Sequence, residues 1–341
     1  GNIKKKRVNK KEKKILDAIE QSGMTLVKSG SDYLKSDGYY SVDTILVTKL
    51  TKELIETDVF PLKYVVYNHY TGRYDSTAVI NQDNQKAVNA GLVMGAALGR
   101  KLQIRSEVNN TKYMRKPVGK IDRRMISSLG FGNENVFQYI ETDSYKKANL
   151  HISIDASGSM GGSKWTKTIT NVVALCKAVD MIQNLSIQVS FRTTQGNLPY
   201  IVMAYDSRTD KFSKVKQMFP YLTSGGTTPE GLCFEAIMKN FLGATNDMDS
   251  YFLNLSDGQP YFGGRGFYYS GDAAEIHTGK MVKMIESMGI KTLSYFIGEK
   301  YDYGSYMEKS FKTMYGKAAK FVDVTNVNQI TKTMNQLFLQ K

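Results

Sequence analysis

Thiol and imidazole chemistry are scarce in this chain: its 341 residues include 2 cysteines, 3 histidines, 6 prolines and 1 tryptophan. His69, His151 and His277 lie far apart and make no zinc-like spacing. His151 alternates within an apolar run and reads as a structural residue. Cys176 and Cys233 fall on apolar helical faces and read as small core residues, as expected of a reducing compartment. No apolar run approaches the ~20 residues that a membrane span needs. Residues 1–14 are charged with no apolar core behind them, so a signal peptide is not expected and the cytoplasm is the expected compartment.

Two catalytic signatures are also missing. A serine hydrolase using Ser157 or Ser159 would need a histidine and an orienting acid beside it, and no Gly-x-Ser-x-Gly elbow occurs. The nearest approach to a phosphate-binding loop, Gly158 to Lys164, ends Gly162-Ser163-Lys164-Trp165 and lacks the Gly-Lys-Ser/Thr that such a loop requires. It is a decoy, and the chain is expected to carry no ATP-hydrolysing motor of its own.

Acidic residues are in deficit, and the deficit is concentrated. Of the net charge of +14, half comes from residues 1–14, with eight Lys/Arg against one Glu, and half from residues 100–124, with nine against two acids. The tail, Lys4, Lys5, Lys6, Arg7, Lys10, Lys11, Lys13 and Lys14, reads as a solvated, flexible segment or as a contact for a polyanion. The second patch, Arg100, Lys101, Arg105, Lys112, Arg115, Lys116, Lys120, Arg123 and Arg124, falls inside the folded region. It is suited to an acidic partner, a nucleic-acid backbone or local carboxylates, and binding to RNA or DNA through it would be salt-sensitive.

What the chain does carry is an oxygen-rich turn. The apolar run Leu150-His151-Ile152-Ser153-Ile154 leads into Asp155-Ala156-Ser157-Gly158-Ser159, which offers one carboxylate and two hydroxyls with small residues between them. Oxygen donors of this kind suit Mg²⁺ better than Zn²⁺ or copper. Two later segments add donors. Thr223-Ser224-Gly225-Gly226-Thr227-Thr228-Pro229 supplies a threonine, and Leu253-Asn254-Leu255-Ser256-Asp257-Gly258 supplies a second aspartate after an apolar run. Both carboxylates are thus expected at the carboxyl ends of strands, the edge where open α/β sheets bind ligands. Tyr261, Phe262, Phe267, Tyr268 and Tyr269 follow the Asp257 loop and read either as local packing or as a partner-contact rim.

From Leu150 onward, apolar strands alternate with amphipathic helical stretches, as in a mostly parallel sheet with helices on both faces. Strands are predicted near 149–155, 186–192, 199–204, 250–256, 291–297 and 319–323, the third as an antiparallel edge strand. Helices are predicted near 164–183, 229–242, 272–288, 303–318 and 326–339, with Pro229 opening the second. Residues 15–145 form a first region of unassigned fold, mixed α/β or α-rich, ahead of a domain spanning 146–341. Within it, 41–57 reads as helical, 62–66 with 76–80 as a hairpin and 81–102 as a helix.

The order Asp-x-Ser-x-Ser, distant Thr, distant Asp resembles the von Willebrand factor A (VWA) domain with its metal-ion-dependent adhesion site (MIDAS). That resemblance implies a Rossmann-like fold, direct metal ligation by Ser157 and Ser159, and direct or water-mediated ligation by Asp155 and Asp257. Alignment on Gly225-Gly226 selects Thr227 as the fifth residue, whereas alignment on Pro229 selects Thr228. It also implies Mg²⁺, with Mn²⁺ or Ca²⁺ as substitutes, a partner carboxylate completing the coordination, and binding without catalysis. A second resemblance rests on Pro117-Val118-Gly119-Lys120-Ile121-Asp122-Arg123-Arg124-Met125-Ile126, on Asn135-Val136-Phe137-Gln138-Tyr139 and on the late strand ending Tyr295-Phe296-Ile297-Gly298. Over about 115–341 the chain is similar to the CobT-type subunit of aerobic cobaltochelatase, although the acidic segment of that family is replaced here by a basic tail. This implies partnership with a ring-forming AAA+ ATPase of the MoxR or CobS type, as an adaptor or as a subunit of a chelatase-like complex.

Overall fold

The computed structural model describes residues 25–28, 44–58, 60–106, 109–143, 147–196, 198–243, 247–264, 267–298 and 306–323. Eight strands form one sheet: β1 (Thr25–Lys28), β2 (Thr44–Lys49), β3 (Lys147–Asp155), β4 (Leu185–Gln195), β5 (Leu198–Asp206), β6 (Met248–Ser256), β7 (Lys291–Gly298) and β8 (Ala319–Asp323). Their spatial order is β1-β2-β5-β4-β3-β6-β7-β8. β3, β4, β6, β7 and β8 run parallel. β5 is antiparallel to β4, β2 parallel to β5, and β1 antiparallel to β2.

Both faces of this sheet are covered, which is why its central strands read as unbroken buried runs. In β3, Leu150, Ile152 and Ile154 join one core together with residues of α1 (Gln82–Ser106), α2 (Ser163–Asp180) and α3 (Ser213–Met218). The opposite core takes Phe252 and Phe296 with residues of α4 (Glu230–Asn240), α5 (Gly271–Ser287) and α6 (Tyr306–Tyr315). The protein is therefore an α/β fold with a mostly parallel central sheet flanked by helices.

The polar residues Asn149, His151 and Ser153 of β3 are buried as well, and each finds a partner across the β3/β4 ladder. Asn149 accepts from Ser186, His151 Nε2 bonds Ser190 Oγ at 2.9 Å, and Ser153 accepts from Arg192. His151 also stacks between Phe252 and Phe241. Burial pushes its imidazole down to about 4, so it is a neutral core residue.

Three segments differ from the sequence expectation. Residues 44–49 form strand β2, followed by a short helix at Lys52–Glu56 that Thr51 caps by accepting from the Leu54 amide. The β-branched run Thr44-Ile45-Leu46-Val47-Thr48 is as apolar-periodic as a helix, but it pairs in parallel with β5, burying Ile45 and Leu46 in opposite cores. β5 is consequently antiparallel to β4, as expected, but interior, because β2 and β1 extend the sheet beyond it. The hairpin is tighter than expected, with strands Tyr67–Asn68 and Arg73–Tyr74, although Val79 still donates to the Tyr64 carbonyl across the flanks.

The sheet draws strands from both sides of position 145, and α1 ties the earlier residues down further. Gly91, Gly95 and Gly99 recur every four residues along α1, on the side facing α2. A Cβ on Gly91 would lie 2.6 Å from the Thr170 carbonyl oxygen, and one on Gly95 would lie 2.5 Å from that of Ala174, so only glycine allows this helix approach. Ahead of β3, Asn109–Lys116, Lys120–Ile121 and Phe137–Asp143 form a separate three-stranded antiparallel sheet. The expected helix at 326–339 and the basic residues 1–14 lie outside the described residues. No helix among the described residues is long and apolar enough to cross a membrane.

Candidate metal centre

Strand order reverses between β3 and β6: the chain leaves β3 for β4 on one side and returns later to β6 on the other. A crevice at the carboxyl ends of strands is expected at such a switch point. The parallel register pairs Ile154 with Leu255, so Asp155 and the Ser256-Asp257 pair leave the sheet side by side.

Asp155 is fully buried and its carboxylate is held from three directions. The Ser157 amide donates to Oδ1 at 2.8 Å, Ser256 Oγ to Oδ2 at 3.0 Å, and Thr228 Oγ1 to Oδ2 at 3.1 Å. Asp257 is nearly as buried. Ser159 Oγ donates to its Oδ1 at 2.8 Å, and Ser157 and Ser159 share a hydrogen bond at 3.0 Å. The five sequence-predicted positions Asp155, Ser157, Ser159, Thr228 and Asp257 therefore form one connected cluster of oxygen donors.

Thr227 is not in that cluster. Its amide and hydroxyl both bond to Thr194 Oγ1, away from the carboxylates. The choice between the two threonines follows from Gly226, which adopts φ +81° in a crowded turn; a Cβ there would meet Thr193 Oγ1 at 2.4 Å. Two backbone bonds fasten this loop to the aspartate turn: Gly225 N to Ala156 O at 2.7 Å and Gly158 N to Gly226 O at 3.1 Å.

Four residues that sequence reasoning did not assign to the site complete its electrostatics. Lys164, dismissed above as part of a decoy loop, places Nζ 2.8 Å from Asp257 Oδ2. Ser256 is the residue before the second aspartate. Arg192 lies beneath Asp155 and pairs with Glu230, both side chains fully buried. Arg192 also donates to Ser153 Oγ at 3.0 Å, and Asn254 Nδ2 donates to Glu230 at 3.1 Å.

Burial, and then the charge of Asp155, push the Asp257 carboxyl up, against the pull of Lys164. Burial also raises Glu230 in spite of Arg192. Burial opposes the charge on Arg192, but Glu230 and Asp155 outweigh it and raise the guanidinium further. Asp155 and Asp257 thus repel each other, with the Lys164 ammonium as the cation seated on Asp257. Two carboxylates and three hydroxyls short of positive charge fit a hard divalent cation by donor type. Among the described residues no group of three or more His, Cys, Asp or Glu side chains could hold a metal.

The expected aromatic rim divides. Phe262 and Tyr269 are core residues, whereas Tyr261 and Tyr268 are exposed. Tyr261 adjoins the cluster directly, its amide donating to the Thr228 carbonyl at 2.8 Å.

No family model matches the sequence, and no curated protein matches it. Solved structures of similar architecture include the pilus adhesin SpaC from Lactobacillus rhamnosus GG in its open conformation (13% identity, 59% of this chain and 31% of that one, TM-score 0.44). They also include the vWF domain of the type V pili tip protein Mfa5 from Porphyromonas gingivalis (11% identity, 58% and 98%, TM-score 0.42). A third is the manganese-loaded TRAP protein of Plasmodium vivax (15% identity, 57% and 74%, TM-score 0.41). The matched region spans about a third of the adhesin's length. A vWF domain is among the solved structures this chain is similar to.

Proposed function

We propose that this chain is a VWA-type, MIDAS-bearing protein that binds a divalent cation, Mg²⁺ in the first instance with Mn²⁺ or Ca²⁺ as substitutes, and uses it to dock an acidic residue of a protein partner. The observation that carries this reading is the convergence of two mutually repelling buried carboxylates, Asp155 and Asp257, with Ser157, Ser159 and Thr228, balanced on Asp257 by a lysine ammonium. Asp155, Ser157, Ser159, Thr228 and Asp257 would hold the cation. When bound, the cation supplies a Lewis-acid position for a carboxylate from outside the chain. The role of this chain's own residues is to fix the oxygens: Ser256 and the Ser157 amide orient Asp155, and the Gly225 and Gly158 amides lock the threonine loop to the aspartate turn.

The role is non-catalytic. The partner we favour is a MoxR/CobS-type AAA+ ATPase, for which this chain would serve as a CobT-like adaptor or subunit. The test has two parts. Calorimetric titration with Mn²⁺ or Mg²⁺ should give one site in the wild type and none in Asp155→Ala or Asp257→Ala, and saturation at a hundred times the dissociation constant should stabilise the wild type alone by about 2.7 kcal/mol. Affinity capture with wild type and Asp257→Ala, each in Mg²⁺ or EDTA, should then retain an AAA+ ATPase only with wild type in Mg²⁺. Equal metal binding by the variants would remove the site assignment, and retention of the same proteins under all four conditions would remove metal-gated docking.

A further inference from the structure

The sheet ahead of β3 exposes apolar and basic side chains that the metal centre does not use. Its strands Asn109–Lys116 and Phe137–Asp143 pair antiparallel, with Tyr113 opposite Tyr139. The two rings stack, centroids 6.4 Å apart and planes inclined by 27°. Yet Tyr113 is 39% exposed and Tyr139 54%, so the stack forms a platform on the surface and not a piece of core.

A backbone irregularity places a cation on that platform. Residues 113 and 116 are an odd number apart, and in a regular strand they would point to opposite faces. The register jumps here, with Tyr113 opposite Tyr139 and Lys116 opposite Phe137, so the first strand holds one extra residue. Arg115 sits in this bulge at φ +56°, the one non-glycine residue with positive φ among those described. The bulge returns Lys116 to the tyrosine face, where Nζ lies 5.3 Å from the centre of the Tyr113 ring. Strained, non-glycine bulges are features that a fold keeps for a purpose.

Basic residues outnumber acidic ones here, although Glu141 lies two residues from Tyr139 on the same strand. Lys112, Arg115, Lys116, Lys120, Arg123 and Arg124 are all exposed, and none makes an ion pair with a described carboxylate. The nearby Asp122 is buried and accepts from the Arg124 amide in its own turn. Exposed stacked aromatics beside a cluster of exposed Lys and Arg suit a ligand with flat π-faces at regular spacing along a polyanionic chain. A duplex hides its base faces inside the stack, and an acidic peptide has no such faces.

We propose that this small sheet binds single-stranded nucleic acid, with Tyr113 and Tyr139 stacking on bases and Lys116, Arg123 and Arg124 following the phosphates, independently of the metal centre. The test is fluorescence anisotropy of labelled oligo(U) and oligo(dT) with the full chain, at several salt concentrations and with EDTA present. Wild type should bind, with affinity falling as salt rises. Tyr113→Ala or Tyr139→Ala should each weaken binding roughly five-fold or more, the lower end of base–aromatic stacking effects. Tyr113→Phe and Tyr139→Phe, which keep the π-face, should restore it. Lys116→Gln with Arg123→Gln should reduce the salt slope. A preference between oligo(U) and oligo(dT) would assign RNA or DNA. Unaltered binding in the tyrosine variants would move the contact to other basic residues, such as those of 1–14, and overturn the proposal. So would absence of binding, equal affinity for duplex, or stronger binding of a poly-glutamate probe.

Discussion

The buried Arg192–Glu230 pair beneath Asp155 offers the sharpest test of how the metal end of the sheet is held. Both side chains are fully buried, so neither can recover hydration if its partner is removed. Arg192→Met would leave the Glu230 carboxyl without its counter-charge, and also free Ser153 Oγ and the Leu255 carbonyl of a donor. Breaking such a pair from one side costs about 3–5 kcal/mol. Glu230→Gln should cost less, because Asp155 still faces the guanidinium and glutamine still accepts from Asn254 Nδ2. The double variant removes both charges and should be destabilised by about 2 kcal/mol or more less than the sum of the two single losses. Glu230 supplies a second signature. Burial already raises its carboxyl, and loss of Arg192 raises it further, so the charged form is the one the fold disfavours. The penalty in Arg192→Met is therefore constant above that raised value and is relieved as pH falls below it toward the ordinary carboxylate range. Urea unfolding followed by Trp165, the single tryptophan, packed 5.5 Å from Phe191, reads all of this. Additive losses, or a loss below about 1 kcal/mol in Arg192→Met, would refute the argument that the pair is a closed charge unit.

Two further outcomes follow from single side chains. His151 is held down at about 4 against an ordinary 6.5, so protonation favours the unfolded chain and stability is lost as pH falls from 6.5 toward 4. At about 1.4 kcal/mol per pH unit this removes roughly 2 kcal/mol between pH 7 and pH 5, and urea midpoints of His151→Gln should lack that portion of the slope. Lys164→Met removes the ammonium seated on Asp257, a part-exposed pair worth about 1–2 kcal/mol. Calorimetry should therefore show Mn²⁺ binding roughly ten-fold tighter, and an unchanged affinity would show that Lys164 does not compete with the cation.

Most of the sheet was legible because its central strands are buried on both faces and bounded by turn residues, so runs such as Leu150-His151-Ile152-Ser153-Ile154 and Tyr251-Phe252-Leu253-Asn254-Leu255 stand out without knowledge of their partners. β2 was not legible for the converse reason. Thr44 to Lys49 is short and apolar-periodic, and what makes it a strand is the far edge of β5, some 150 residues later. The attachment of α1 was written in the four-residue glycine spacing, but glycine in a helix signals close approach only once the facing helix is known. Arg192 and Glu230 were invisible as a pair because a charged residue in a strand and another at a helix start each read as surface.

The site itself divides in the same way, and the division is physical. Which residue types can bind a hard cation is a local property, and the Asp-x-Ser-x-Ser turn displays it in five residues. Which threonine belongs is a property of the Gly226 turn, whose positive φ sends Thr227 to Thr194 and Thr228 to Asp155, and no spacing argument separates two adjacent threonines. That Lys164 reaches Asp257 depends on α2 beginning at Ser163, so that its second residue lies over the end of β6. The same lysine that fails as part of a phosphate-binding loop is thereby placed where a cation is wanted. Its role follows from the two acids that the parallel register of β3 and β6 brings together, and not from the glycines that precede it.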